Sequence, residues 1–225
     1  MVDDLSILGL TLEVALTATL AILPIGVALA WLLAGWRGPG RVLVESVLTL
    51  PLVLPPTAVG IVLLMLLSKD SFVGRALSRA GLDIMFTWKA AMLASAVMSL
   101  PLLVRSARTA FEEVDPRLLG VARTLGDPPL RVFRRVALPL AWRGIVAGAL
   151  LAFCRALGEF GATILIAGNI PGRTQTLALA IFHRSQVGRE GDALRLVAMV
   201  CFLALAAVYV TERLARRRHA LPPAR

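Results

Sequence analysis

Acidic residues are scarce: Asp and Glu total 14 against 24 Lys and Arg in 225 residues, a formal net charge of +10. Lysine itself is nearly absent. Lys69 and Lys89 follow Ser68 and Trp88, so neither completes the Gly-Lys-Ser/Thr run of a phosphate-binding loop. The chain is therefore expected to carry no nucleotide site of its own. Cysteine is limited to Cys154 and Cys201, both inside apolar runs, which argues against a disulfide framework or a cysteine metal cluster. The histidines, His183 and His219, stand alone, so no histidine-based metal or acid–base constellation is written here. No catalytic, metal or cofactor site is expected.

What is abundant is apolar. Hydrophobic residues make up 58% of the chain, well above the roughly 45–50% of soluble domains, and the mean hydropathy is +0.80. Such a surplus cannot be hidden inside a small globule; it needs lipid. A sequence pI near 11.4 could suit nucleic acid. The arginines, however, fall between and after long apolar stretches, as membrane topology requires, so no nucleic-acid partner is expected.

A bilayer core takes about 20 apolar residues as a helix, or fewer where charged flanks snorkel outward. Five stretches qualify: 14–36, extensible back to Leu5; 42–67, interrupted only by Glu45; 90–104, flanked by Lys89 and Arg105; 145–167, apolar apart from Arg155 and Glu159; and 196–211. The first is preceded by Asp3 and Asp4 rather than a basic segment, and it is too long for a signal peptide. The expectation is an all-α integral membrane protein of about five transmembrane helices. Residues 1–10 would form an external segment, 11–212 the membrane domain, and 213–225 a basic tail. Pro24, Pro51, Pro55, Pro56 and Pro101 fall within these spans. The run from Leu50 to Thr57 predicts a bent or interrupted helix, serving either packing or the lining of a pathway.

Arginine distribution sets the orientation. Five spans put the termini on opposite sides. With the C-terminus inside, the cytoplasmic segments hold Arg37 and Arg41, eight arginines from Arg105 to Arg143, and the tail from Arg213 to Arg225. No basic residue precedes the first span, so the N-terminus faces out.

The segment 112–139 between the third and fourth spans reads as two capped helices. Asp115-Pro116 sets an N-cap acid before a proline at the first helical position. Leu118, Val121, Ala122 and Leu125 follow at helical spacing, and Gly126 stands where a C-cap glycine belongs. Asp127-Pro128 repeats the start. Leu130, Phe133, Val136 and Ala137 make a second apolar stripe beside Arg131, Arg134 and Arg135, and Pro139 is expected to end the helix. On these features alone the hairpin is either a docking element or a membrane-surface element whose arginines meet anionic lipid.

The run Gly120-Val-Ala-Arg-Thr-Leu-Gly126, with nine residues to Val136-Ala-Leu-Pro139, resembles the Glu-Ala-Ala loop of ABC importer permeases. That loop reads Glu-Ala-Ala, three residues, Gly, nine residues, Ile, any residue, Leu-Pro. Gly126, Leu138 and Pro139 match; Val136 stands in for the isoleucine, and Val121 and Ala122 for the alanines. Gly120 departs from the usual glutamate. The stretches from Phe153 to Thr163 and from Ala167 to Thr176 are similar to molybdate permease subunits, and sulfate and tungstate permeases share much of the pattern, especially Gly158-Glu-Phe-Gly161.

The resemblance implies a type I ABC importer permease fold in a bacterial cytoplasmic membrane. It also implies molybdate as cargo (sulfate or tungstate as alternatives), cytoplasmic ATPase subunits and an external oxyanion-binding protein. Gly120, Val121, Ala122, Arg123, Leu125, Gly126, Asp127, Pro128, Leu138 and Pro139 would then form the ATPase-coupling element. Five helices are few to enclose a pathway, which argues for a homodimer. The alternatives are a secondary transporter, which would need no such hairpin, and a membrane enzyme, which would need a polar constellation at one membrane face, where His183 and His219 stand isolated.

Arg155 and Glu159 lie four apart, on one helical face. A charge at mid-membrane costs on the order of 3 kcal/mol, so the two form either a buried structural pair or part of an anion pathway. Thr57, Ser95 and Ser99 could donate to an oxyanion or bond their own backbone. Asn169 and Arg173 fall in an external loop, as contacts for a binding protein or as a solvated turn.

Overall fold

The computed structural model describes residues 3–216, and every regular element among them is a helix. Helix α1 spans Asp4–Gly35. At 1.5 Å per residue its 32 residues run about 48 Å, longer than a bilayer core of roughly 30 Å, so it tilts or protrudes. Its threonines are satisfied internally: the Thr11, Thr17 and Thr19 hydroxyls donate to carbonyls four residues back at 2.7, 2.6 and 2.8 Å.

Helices α2 (Arg41–Val53) and α3 (Pro56–Leu67) meet at a bend of 109°. Pro55 and Pro56 supply no N–H to the carbonyls of Pro51 and Leu52, and Leu54 is held extended ahead of them. The second proline then starts α3, where a missing N–H costs nothing. Helix α4 (Phe72–Arg79) is short and capped by Ser71, whose hydroxyl accepts the Gly74 N–H at 2.8 Å.

Helix α5 (Trp88–Glu112) is the axis of the molecule, packed on α1 and on the helix that follows the hairpin. Its buried face carries Ala90, Ala94, Met98, Leu103 and Ala107, and the small residues let neighbouring backbones approach closely. The hairpin is α6 (Pro116–Thr124) and α7 (Pro129–Val132). A π-helical turn at Phe133–Ala137 then leads straight into α8 (Leu138–Leu157). Pro139 therefore does not end the helix. The wide π turn carries the Leu138 N–H back to the Phe133 carbonyl and relieves the crowding that Pro139 brings to the preceding turn.

The fourth span consequently sits earlier than the 145–167 expected. It extends from Pro129 to Leu157 and breaks at Gly158, leaving α9 (Gly161–Ile166) as a separate short helix. Helices α10 (Leu177–Gln186) and α11 (Glu190–Arg216) complete the described residues. The start of α1 is tied to α10 by Arg184 Nη2 to Asp4 Oδ1 at 2.5 Å and by the Leu177 N–H to Thr11 Oγ1 at 2.8 Å. Among the described residues four helices are long and apolar enough to cross a membrane, or five if the bent α2–α3 pair is one span. Arg217, Arg218, His219 and Arg225 of the expected basic tail lie outside the described residues.

Candidate functional site

The hairpin is built by local chemistry. Asp115 Oδ1 accepts the Arg117 N–H at 2.8 Å and caps α6. Gly126 closes it with φ +88°, a left-handed geometry that favours glycine. Its N–H donates to the Arg123 carbonyl at 3.0 Å, and the Asp127 N–H to the Ala122 carbonyl at 3.1 Å, the paired closure of a Schellman turn. The second helix starts one residue later than the Asp127-Pro128 pattern suggested. Pro128 is the capping position, and Asp127 instead pairs with Arg131 at 3.0 Å.

Burial divides the expected apolar stripes. Leu119, Phe133 and Ala137 pack in one cluster with Phe111 and Val114 at the α5 end, and Ala122 and Val132 are buried as well. Trp31, Phe111 and Phe133 stack with centroids 5.3, 5.4 and 6.0 Å apart, joining the π turn to α1 and α5. Leu118, Val121, Leu125 and Leu130 face out, Leu125 at 80% and Leu130 at 67% exposure. Arg117, Arg123, Arg131, Arg134 and Arg135 surround them, all exposed. The hairpin thus combines a base locked to two spans with a bare apolar ridge rimmed by positive charge. Gly120 lies on α6 with open space where a side chain would be. Leu138 and Pro139 are away from the tip, in the first turn of α8, Leu138 packed inward and Pro139 exposed.

A second constellation lies where two broken helices cross. A Cβ on Gly60 of α3 would come within 2.9 Å of Ala162 Cα, and one on Gly161 within 2.7 Å of Pro56 Cβ. Helices α3 and α9 therefore touch backbone to backbone, and Thr57 is brought beside the Gly158–Gly161 break with its side chain exposed. Glu159 is buried at that break. Its Oε1 accepts the Ala162 N–H at 2.8 Å, and Oε2 stands 2.7 Å from Arg155 Nη2. The ion pair is off hydrogen-bond direction, so Oε2 has no hydrogen-bond donor among the described residues. Thr163, four residues beyond Glu159, has a buried hydroxyl without a partner among the described residues. Ser99 is not part of this cluster: it is buried on α5, and its hydroxyl donates to the Ser95 carbonyl of its own helix.

The loop 167–176 is ordered from within. Gln175 Nε2 donates to Asn169 Oδ1 at 2.9 Å, and the Ile170 N–H donates to the buried Thr174 hydroxyl at 3.0 Å. Asn169 is thus half-buried and structural, while Arg173 is exposed on the turn.

Sequence reasoning passed over one cluster. Arg41 and Arg108 share Glu45 Oε1 at 2.6 and 2.5 Å, and Arg41 also reaches Glu112 Oε1 at 2.5 Å. The signal was present as two i,i+4 pairs, Arg41/Glu45 and Arg108/Glu112. Nothing in the sequence indicated that they would meet.

The family model described as "Binding-protein-dependent transport system inner membrane component" matches residues 22–218. The chain belongs to this family. Among relatives of this transport component, the molybdenum transport system permease protein of Escherichia coli K12 is 46% identical over 209 residues, covering 92% of this chain and 91% of that protein. The corresponding Haemophilus influenzae protein is 41% identical over 216 residues, 95% and 94% of the two chains. A sulfate transport system permease protein of Salmonella typhimurium is 40% identical over 161 residues, 72% of this chain and 58% of that one.

Solved structures agree on the fold. A chain of the MetNI methionine ABC transporter superposes with TM-score 0.67 at 19% identity, covering 95% of this permease and 93% of that chain. A chain of a bacterial ABC transporter for alginate import gives TM-score 0.71 at 17% identity, covering 98% and 82%. The fold is that of a type I ABC importer permease.

Proposed function

We propose that this permease translocates molybdate inward across a bacterial cytoplasmic membrane as one half of a homodimer driven by separate ATPase subunits, with its N-terminus outside and its C-terminus in the cytoplasm. The observation that carries the reading is the hairpin within residues 112–139. Its inner face is locked to α1 and α5 by the Trp31–Phe111–Phe133 stack, so a push on the tip moves two spans. Its outer ridge of Leu118, Val121, Leu125 and Leu130 is apolar and bare, as a surface meant for a protein groove would be. Gly120, Val121, Ala122, Arg123, Leu125, Gly126, Asp127 and Pro128 make or shape that surface. Leu138 and Pro139 transmit it into α8. ATP closes the paired ATPases, the hairpins are drawn together, and the permease halves open toward a loaded external binding protein. Hydrolysis resets them inward, and bond chemistry stays on the ATPase.

Molybdate is supported by identities of 46% and 41% to molybdenum permeases along nearly the whole chain. Sulfate is the second reading, favoured by the 40% identity to a sulfate permease over the shorter shared region. In the pathway, the crossing of α3 and α9 supplies exposed Thr57 and the Arg155–Glu159 pair. The carboxylate holds the guanidinium in place for a passing dianion, and Ser99, bonded to its own helix, lies outside this cluster. At the outer face, Asn169 fixes the loop that presents Arg173 to the binding protein.

The test is ATP hydrolysis by the reconstituted permease–ATPase complex with binding protein loaded with molybdate, tungstate or sulfate. Stimulation greatest with the molybdate-loaded protein supports the reading. Stimulation by sulfate alone moves the chain to the second reading, and absence of any ATPase partner removes both.

A further inference from the structure

Phe86 has φ +58°, and among the described residues it is the one non-glycine with a left-handed backbone. An aromatic residue resists that geometry, which glycine and asparagine accept readily. The fold fixes it from both sides. The Phe86 N–H donates to the Ile166 carbonyl at the end of α9, at 2.9 Å, and the Thr87 hydroxyl, next in the chain, donates to the Ile84 carbonyl at 2.5 Å. Glycine would meet the same backbone demand without strain, so the ring itself calls for an explanation. Packing supplies only part of one. The ring lies over Gly168, where a Cβ would come within 3.4 Å of it, yet Phe86 remains 52% exposed. Strain that the surroundings impose and burial does not repay gathers where a side chain has to be displayed.

The displayed ring forms part of the wall of a cavity of about 410 Å³ beside α4. Leu77, Leu82 and Met85 give it an apolar lining, and Lys69 and Asp83 a polar edge. That is far more room than a single water needs. The segments 68–89 and 167–176, which meet at Phe86 and Gly168, contain Lys69, Arg75, Arg79, Lys89 and Arg173 against Asp70 and Asp83. Arg75, Arg79, Lys89 and Arg173 are exposed, and Asp83 is taken up by Lys69 at 3.6 Å. A protein surface with a projecting apolar side chain inside an acidic rim complements this face in shape and charge. We infer that Phe86 and its cavity anchor the external binding protein, which seats an apolar side chain beside the ring and sets acids against the arginines. The surface is continuous with the turn that carries Arg173. It is also one hydrogen bond away from α9, whose opposite end adjoins Glu159. The inference rests on the importer reading and the orientation proposed above.

The experiment measures binding of molybdate-loaded binding protein to the permease–ATPase complex in nanodiscs, held with a non-hydrolysable ATP analogue. Wild type is compared with Phe86→Gly, Phe86→Asn, Phe86→Tyr and a double variant, Arg75→Glu with Arg79→Glu. Melting of each complex is read alongside. Phe86→Gly and Phe86→Asn should weaken binding about tenfold or more, the loss of an aromatic anchor. Their melting should stay near wild type, because relief of the positive φ offsets the lost ring contact. Phe86→Tyr keeps the ring and should bind as wild type. The double variant should associate more slowly at low salt.

Wild-type affinity in the glycine and asparagine variants overturns the anchor and returns the ring to the lipid interface. Binding that falls only in step with melting also overturns it, in favour of a packing role. An unchanged association rate in the double variant removes the charge match, and with it the choice of occupant. A wild-type complex that captures no loaded binding protein rejects the importer reading as well, whereas normal capture by Phe86→Gly rejects this anchor alone.

Discussion

A methyl group on Gly161 would sit 2.7 Å from Pro56 Cβ, and one on Gly60 would meet the Ala162 backbone at 2.9 Å. Neither obstacle is a flexible side-chain end, so Gly161→Ala and Gly60→Ala must push α3 and α9 apart. Overpacking of this kind costs about 1–3 kcal/mol, read as a lowered melting temperature of the purified complex. Gly120→Ala is the contrasting case. Its surroundings are empty, and alanine favours a helix over glycine by about 1 kcal/mol, so melting should hold or rise slightly.

Glu159 makes a further residue-scale prediction. Its side chain is 1% exposed against 25% for Arg155. Glu159→Ala strands the guanidinium and frees the Ala162 N–H. Loss of one partner from a buried pair costs about 3–5 kcal/mol, and the partial exposure of Arg155 puts the expectation at the lower end. Glu159→Gln, which keeps an acceptor for the Ala162 N–H, should melt between the two. A melting temperature of Glu159→Ala equal to wild type would remove the pair's structural role. At this scale the sequence was legible wherever the chemistry is local. Gly126 could be placed as a cap because the turn itself demands positive φ. The Ser99 hydroxyl, open between substrate and backbone in the sequence, is buried on α5 and donates to the Ser95 carbonyl, a placement that no local pattern displays.

Among the elements, the hairpin shows how far patterning reaches. Apolar spacing marked both of its helices, yet it could not tell which apolar residues would turn inward. Leu119, absent from the expected stripe, packs on the α5 end, whereas Leu118, Val121 and Leu125 remain bare. That division makes a clean test. Leu125→Asp alters a side chain that is 80% exposed, so permease stability should change by no more than about 0.5 kcal/mol. Association with the ATPase should fall about tenfold or more, since a charge would enter an apolar contact. Co-purification with the ATPase and melting of the permease separate the two effects, and unchanged co-purification would return the ridge to a membrane-surface role. The broken α2–α3 span was readable from adjacent prolines, whose chemistry leaves no alternative to a break. The fourth span was misplaced at both ends: Pro139, expected to end the hairpin, is carried inside the helix, and the apolar run continues past the break at Gly158. The π turn that absorbs Pro139 is a tertiary accommodation, with Phe133 held against Trp31 and Phe111.

For the whole molecule, what could not be read was which distant elements meet. The α3–α9 crossing and the Arg41–Glu45–Arg108–Glu112 cluster both join parts remote in sequence through faces that carry no local signature. The proposed sidedness, by contrast, rests on charge count along the chain. The segment linking α3 to α5, with the first turn of α5, sets Lys69, Arg75, Arg79 and Lys89 against Asp70 and Asp83, with Lys69 and Asp83 paired at 3.6 Å. The segment from Arg105 to Arg143 carries eight arginines, which the proposed orientation assigns to the opposite face. Ser78 of α4 and Thr124 of α6 are both exposed and stand on these two faces. With Cys154 and Cys201 replaced by alanine, Ser78→Cys should react with a membrane-impermeant maleimide in intact cells. Thr124→Cys should react only after lysis, in cells expressing the permease without its ATPase so that docking cannot shield it. Labelling of Thr124→Cys in intact cells with Ser78→Cys protected would invert the topology. The ridge of Leu118, Val121, Leu125 and Leu130 would then face away from any source of ATP, so this one pair of labelling reactions bears on the orientation and on the driving partner together.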